Sequence, residues 1–349
     1  MKIDVFAHIF PKKFMDYCAK HVVNWEMLKP EGWPALWDID KRLEIMDRYE
    51  DYTQVLVPPG AMVGFCCSPE EEAELMRVFN DAVAEIVNKY PDKFVGAVAY
   101  IPMRNIDAAL REIDRVIGEK GFKGVYIETP IYEVKKSDYS YNYETMKPMD
   151  SPEFMPIYES MCRHRLPIWI HPIGGGGIPV YSGEERDKYG LFLTFGWPFE
   201  SVMAMSRLVC SGVMAKYPDL RCIIHHCGSG VIPVLAGRID GQTEAFKVMG
   251  VQFGQPGEVD PFEIKSATDY FRMFYADTAL YGDTSGLMCG HDFFGTEHIL
   301  FGTDFPYDVE GGDKYIRATI DAVYRMNVSD ADKEKIFEGN ARRILRLQG

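Results

Sequence analysis

The chain has 349 residues, 47% apolar and 26% charged, which fits a large globular core and not a small disulfide scaffold. Its formal charge of −14, from 38 basic and 52 acidic residues, argues against nucleic acid as a partner. No stretch approaches the roughly 18 consecutive apolar residues of a membrane span. Asp4 breaks the first apolar run, unlike a signal peptide, and eight scattered cysteines without a CxxC point to free thiols in the cytoplasm.

Short apolar or β-branched runs recur along the chain: IDVF (3–6), TQVLVP (53–58), FVGAVAYI (94–101), KGVYI (123–127), LPIWI (166–170), RCIIH (221–225), FRMFYAD (271–277) and HILFG (298–302). They are nearly continuous in apolar character, as strands of a parallel sheet covered on both faces are. Helical patterns lie between them. Residues 38–50 begin with an N-capping Asp and place Leu43 and Met46 three apart. Residues 69–90 carry a stripe through Leu75, Val78, Phe79, Val83 and Ile86. Residues 105–121 are capped by Asn105, and 151–165, 198–217 and 328–348 follow the same logic.

Eight strands, each followed by helical sequence, predict a single (β/α)8 TIM barrel as one domain over 1–349. The length exceeds the ~250 residues typical of the fold, so insertions are expected. The candidates are 11–37, 129–150 and 172–196 in βα loops, and 243–268 before the seventh strand.

Chemistry in such a barrel sits where strands end. Those exits are His8, the small stretch PPGAM (58–62), Glu128, His171, His225 with His226, Asp277 and Asp304. Taken singly, a histidine at a strand end is more often a satisfied structural residue, and Asp277 or Asp304 could be a helix cap or loop anchor. Their coincidence on one face changes that reading. Four of only eight histidines fall at these exits, and with aspartate they are ligand types for a divalent transition metal. His8, His171 and Asp304 supply three ligands, the number a catalytic site with an open position needs.

In order, MKIDVFAHIFP, WDIDKRLEIMD (37–47), LPIWIHP (166–172), HHCGSGVIPVLAGRI (225–239) and LFGTDFPYD (300–308) resemble the amidohydrolase superfamily. Within it they resemble the branch of aminocarboxymuconate-semialdehyde and γ-resorcylate decarboxylases. The resemblance implies that His8, His171 and Asp304 hold one divalent ion, with zinc the expected ion and manganese the alternative. It implies that His226 is a general acid/base beside the metal. It also implies that Arg42 grips a substrate carboxylate, as a guanidinium fork can; a solvated helix arginine is the plainer alternative.

Two departures stand out. The family's first strand usually ends in His-x-His, or Glu-x-His in some decarboxylases. Here it reads Phe6-Ala7-His8, and Phe6 has no lone pair for a cation. The glutamate of the γ-resorcylate type's HxGEG turn is Ser229 here. If the sixth strand runs through His225, that side chain points away from the site.

The Gly-rich stretch 171–179 has no helix after it, so it reads as a loop that approaches substrate or moves as a lid, not as a phosphate cradle. Glu128 and Arg104 are further candidates at the mouth. Trp197, Phe195, Phe199 and Tyr307 could line a slot for a flat ring. Cys227 reads better as a small buried residue than as a nucleophile.

The expected function is a metal-dependent, non-oxidative carboxy-lyase acting on an aromatic or unsaturated carboxylic acid with a hydroxyl or amino group. Asp304 or His226 would protonate the ring carbon; Asp304 could do so only with a raised pKa or a proton handed over from metal-bound water. The alternatives are a hydrolase or hydratase on the same scaffold and, because of Phe6, a relative that binds without catalysis. A homodimer is expected from the superfamily and from the prevalence of two-fold assembly.

Overall fold

The computed structural model describes residues 1–22, 25, 30–60, 67–131, 145–173, 189–226, 230–250 and 266–347. Every predicted strand run forms a strand. They are β1 (Lys2–His8), β2 (Tyr52–Val57), β3 (Phe94–Ala97), β4 (Ala99–Tyr100), β5 (Val125–Thr129), β6 (Ile168–Pro172), β7 (Cys222–Ile224), β8 (Tyr275–Asp277) and β9 (Ile299–Leu300). The third run is split at Val98 into β3 and β4. The ladder passes through the split, because Val98 N donates to Leu56 O and Ala99 N to Gly124 O, both at 2.9 Å.

Neighbours pair in chain order, and every pairing is parallel. The sheet then closes on itself. Val5 N donates to Phe301 O (2.9 Å), Asp304 N to Phe6 O (3.0 Å) and His8 N to Phe305 O (2.8 Å). β1 therefore has β2 on one side and residues 301–305 on the other, and the sheet is a closed barrel with no free edge. The split third run counts as one strand, so this is the expected eight-stranded barrel, and its core holds buried residues from Ile3 to Leu345.

Asp4 fastens the closing seam. Fully buried, it accepts hydrogen bonds from Phe6 N (3.0 Å), Thr303 N (3.1 Å), and the hydroxyls of Tyr52 and Thr303 (2.5 Å each). Burial pushes its carboxyl up to about 6 despite these donors.

The helices begin where capping chemistry starts them. Asp38 accepts from Asp40 N and Lys41 N ahead of Ile39–Met46. Ser68 and Glu71 form a reciprocal capping box ahead of Pro69–Lys89, and Asn105 caps Ile106–Lys120. Five described helices go beyond the sequence expectation: Lys12–His21, Val231–Val248, the short Ala267–Phe271, Thr284–Phe294 and Asp313–Arg325. Two internal glycines weaken the helical signal of Thr284–Phe294. Asp313–Arg325 was legible, since Ile316, Thr319, Ile320 and Val323 form a buried stripe. The expected insertions fall partly outside the described residues, at 23–24, 26–29, 132–144, 174–188 and 251–265.

Candidate active site

β1 alternates, so Phe6 and His8 share a face. Phe6 is fully buried and forms a floor for four imidazoles. Its ring stacks on His225 with centres 3.6 Å apart and planes at 17°. His8, His226 and His171 lie 4.6, 5.4 and 5.7 Å from it.

His8 Nδ1 is hydrogen-bonded to the carbonyl of Pro58. A carbonyl only accepts, so Nδ1 carries a hydrogen and the neutral ring has its lone pair on Nε2. That nitrogen lies 3.2 Å from Asp304 Oδ1. Two acceptors facing each other need a cation or a proton between them. Two donors on one ion sit roughly 3.0–3.5 Å apart, so the spacing suits a shared metal.

Asp304 is held in the left-handed region at φ 64, an uncommon place for a side-chain-bearing residue. Its amide is fixed to the Phe6 carbonyl, and the preceding Thr303 to Asp4. Tyr281 donates to Asp304 Oδ2 at 2.9 Å. Burial would raise the Asp304 carboxyl, but the nearby His226 charge, His8 and the Tyr281 hydroxyl outweigh it and hold the group below its ordinary value. Asp304 is therefore a standing carboxylate, and the expectation of a raised acid falls instead on a neighbour.

That neighbour is His226. Its Nδ1 is 3.4 Å from Asp277 Oδ2 and its Nε2 is 3.7 Å from Asp304 Oδ2. Burial opposes its charge, yet the two carboxylates prevail and raise it to about 9. His225 does not point away. β7 stops at Ile224, so strand alternation ends before it, and His225 Nδ1 reaches the same Asp277 oxygen. Burial pushes His225 down to about 4 against the pull of Asp277. The pair thus carries one positive charge, on His226, while His225 stays neutral and donates Nδ1–H.

His171, at the end of β6, is 2% exposed, and burial plus the three other histidines push its pKa well below the usual value. A neutral imidazole is the form that binds a metal. Its ring is 5.4 Å from that of His8, planes at 83°. Two imidazoles on one ion, with bonds of about 2.1 Å, set ring centres about 5 Å apart. Among the described residues, the three donor atoms lying within 4.8 Å of one another come instead from His225, His226 and Asp277. There, however, the carboxylate already has a direct hydrogen bond from His225. The unreconciled acceptor pair is at His8 and Asp304, so those two residues fit one ion between them, whereas His171, though its ring lies beside that of His8, completes no equally close three-donor group with them.

The remaining candidates divide. Trp197 sits edge-on to His171, 5.5 Å between ring centres, and Tyr307 lies 5.2 Å from His8 with its hydroxyl on Pro59 O (2.5 Å). Phe195 and Phe199 are 66% and 43% exposed. Glu128 is buried opposite His171 in the β5–β6 register and accepts from the Tyr100 hydroxyl at 2.6 Å. Arg104 pairs with buried Glu72 at 2.8 Å.

Arg42 is not the solvated helix arginine of the plainer alternative. It is fully buried, giving Nε to Gln54 Oε1 (2.8 Å) and Nη1 to the His8 carbonyl (2.7 Å), with its plane 4.6 Å from the Phe305 ring centre. Its Nη1 braces the backbone of β1, while its buried Nη2 has no hydrogen-bond partner among the described residues. Cys227, Ser229 and positions 174–179 lie outside the described residues. Sequence reasoning missed Tyr281, which no motif marks. It also left Asp277 a cap or anchor, although Asp277 ends a strand as the other site residues do.

A family model described as amidohydrolase matches residues 3–347. The chain is 29% identical to a gamma-resorcylate decarboxylase of Polaromonas sp. (strain JS666), over 91% of this chain and 90% of that protein. It is 25% identical to a 2-amino-3-carboxymuconate-6-semialdehyde decarboxylase of Dictyostelium discoideum, over 99% and 92%. Among solved structures it is similar to a dihydroxybenzoic acid decarboxylase from Polaromonas sp. JS666 with bound manganese and the inhibitor 2-nitroresorcinol. That match has 26% identity and a TM-score of 0.76, covering 99% of this chain and 97% of the other.

Proposed function

The chain belongs to the amidohydrolase family, and on that premise we propose a metal-dependent, non-oxidative decarboxylase. Its substrate is an aromatic or unsaturated carboxylic acid bearing a hydroxyl or amino group. The observation that carries this reading is the approach of two acceptors, His8 Nε2 and Asp304 Oδ1, at 3.2 Å. His8, His171 and Asp304 hold one divalent ion, zinc by ligand type, with manganese the alternative. When bound, the ion supplies a Lewis acid that draws electron density from substrate oxygens.

The chain's own groups do the rest. His226, kept protonated by two carboxylates, gives its Nε2 proton to the ring carbon that carries the carboxylate. The bond to the carboxylate carbon then breaks, its electron pair returns to the ring, and carbon dioxide leaves. Asp277 orients His226, and Asp304 stabilises its charge. Trp197, Tyr307 and Phe6 keep water from the reacting carbon.

Metal analysis of fresh protein, followed by carbon dioxide release from hydroxybenzoates and muconate-type acids, tests this. We expect turnover with zinc or manganese, and none from Asp304→Asn. Less than about one-tenth of an equivalent of metal, with no activity after adding either ion, would sink it. Cleavage of esters, lactones or amides, or hydration, with no decarboxylation would move the chain to the hydrolase or hydratase reading.

The same proposal places two chains together as a homodimer through the apolar face of Val231–Val248, where Val234 is 72% exposed. It also places the protein in the cytoplasm. Cys18, Cys67, Cys162, Cys210, Cys222 and Cys289 are unbridged, and no described helix is long and apolar enough to cross a membrane. Disulfides found by mass analysis of unreduced protein would count against that setting.

A further inference from the structure

β5 turns two oxygen-bearing side chains to the same face, two residues apart: Tyr126 and Glu128. Both are enclosed. Tyr126 is fully buried and Glu128 is 3% exposed. Tyr126 stacks on His171, with ring centres 5.6 Å apart and planes at 28°. Among the described residues its hydroxyl has no hydrogen-bond partner. Gly60, at φ 62, comes so close to this corner that a Cβ there would lie 3.2 Å from the Tyr126 oxygen and 3.1 Å from His171 Cε1. The hydroxyl is thus held at the wall of the site, beside a proposed metal ligand, with no room to swing away.

A buried hydroxyl without a partner is costly, and such groups are completed by a ligand or an ordered water. A tyrosine hydroxyl carries its hydrogen at neutral pH, so the oxygen offers a donor. Glu128 is a carboxylate with several lone pairs, one of them taken by Tyr100. One wall therefore presents a donor and an acceptor side by side.

Resting on the decarboxylase reading, we propose that this wall recognises a ring hydroxyl of the substrate other than the one beside its carboxylate, and that this hydroxyl accepts from Tyr126 and donates to Glu128. Other substituents fail one half of the match. A methoxy group accepts but cannot donate. An aromatic amine donates but accepts poorly, because its lone pair is delocalised into the ring. A second carboxylate only accepts, and Glu128 repels it. The wall thus selects a hydroxy acid over an amino acid, the choice that the family resemblance leaves open.

Calorimetric binding to the metal-loaded protein tests this without requiring turnover. The probes are salicylate, its ring-hydroxylated derivatives and the matching methoxy and amino compounds. One hydroxylated derivative should bind about tenfold or more tighter than salicylate and than its methoxy and amino counterparts. Tyr126→Phe and Glu128→Gln should each bring that preference below about threefold and leave salicylate affinity unchanged. No preference for any added hydroxyl would overturn the proposal, as would an amino compound binding equally well. So would a Tyr126→Phe variant that weakens salicylate and the hydroxylated probe by one factor, which marks a merely structural tyrosine. If a variant fails to fold, the wild-type probe series decides alone. Hydroxyl preference without carbon dioxide release from any probe would leave this inference standing and sink the decarboxylase; release without the preference would do the reverse.

Discussion

At the scale of single residues, Arg42 has the most to say about stability. Its Nε and Nη1 satisfy Gln54 and the carbonyl of His8, and its plane covers Phe305, the residue after Asp304. Burial pulls its pKa down to about 9, so the charge is dearly kept. Removing the side chain leaves a cavity and takes a donor from three oxygens, those of Gln54, Ala35 and the backbone that carries His8. Arg42→Ala should therefore destabilise the fold by about 3 kcal/mol or more. Its folded fraction should bind substrate with an unchanged KM. A normal melting temperature with a tenfold higher KM would restore Arg42 as a carboxylate grip.

The contrast shows what a sequence can say about a residue. His8, His171, His226 and Asp304 are legible because a strand end fixes where a short side chain starts and which way it points. Arg42 is not, because a long side chain on a helix can reach outward or fold inward, and only its partners decide. His225 was misread because alternation holds only while the strand lasts, and this one stops a residue earlier.

At the scale of elements, the helix Asp313–Arg325 opens on Gly312, at φ 114. A Cβ there would fall 2.0 Å from the Phe305 ring. Both the backbone angle and the close approach exclude a side chain. Gly312→Ala should cost roughly 2–4 kcal/mol, read as a lowered melting temperature. Since Phe305 adjoins Asp304 and lies against Arg42, the surviving folded protein should also turn over more slowly. An unchanged melting temperature would show that the ring can give way. The strand and helix order was readable from apolar runs and capping residues, whereas this junction depends on a contact between elements that no local pattern records.

At the scale of the whole molecule, the surface carries an unusual apolar face. Val231–Val248 leaves Val234 and Leu235 72% and 38% exposed, and it packs against Trp197–Cys210, whose Phe199 and Met203 are each 43% exposed. Large exposed apolar side chains grouped on two packed helices suit an interface. A second copy related by a two-fold axis would cover it, since the patch would then meet itself. Sedimentation should find a dimer, and Val234→Asp with Leu235→Asp should yield a folded monomer. Wild-type protein sedimenting as a monomer at micromolar concentration would end the idea. The barrel was legible at this scale because its repeat is periodic, but an interface has no period and shows only once the surface is folded.

The closing seam has a consequence for how the protein is made. β1 finds its second neighbour in residues 301–305, and His8 meets Asp304 only there. A ribosome must therefore release nearly the whole chain before the first strand can be covered on both sides. Until then Phe6 and its neighbours are exposed to other nascent chains, with no local contact to shield them. Contacts this distant in sequence also slow folding, because the longest loop closes last. The centre of the protein is the final part of it to exist.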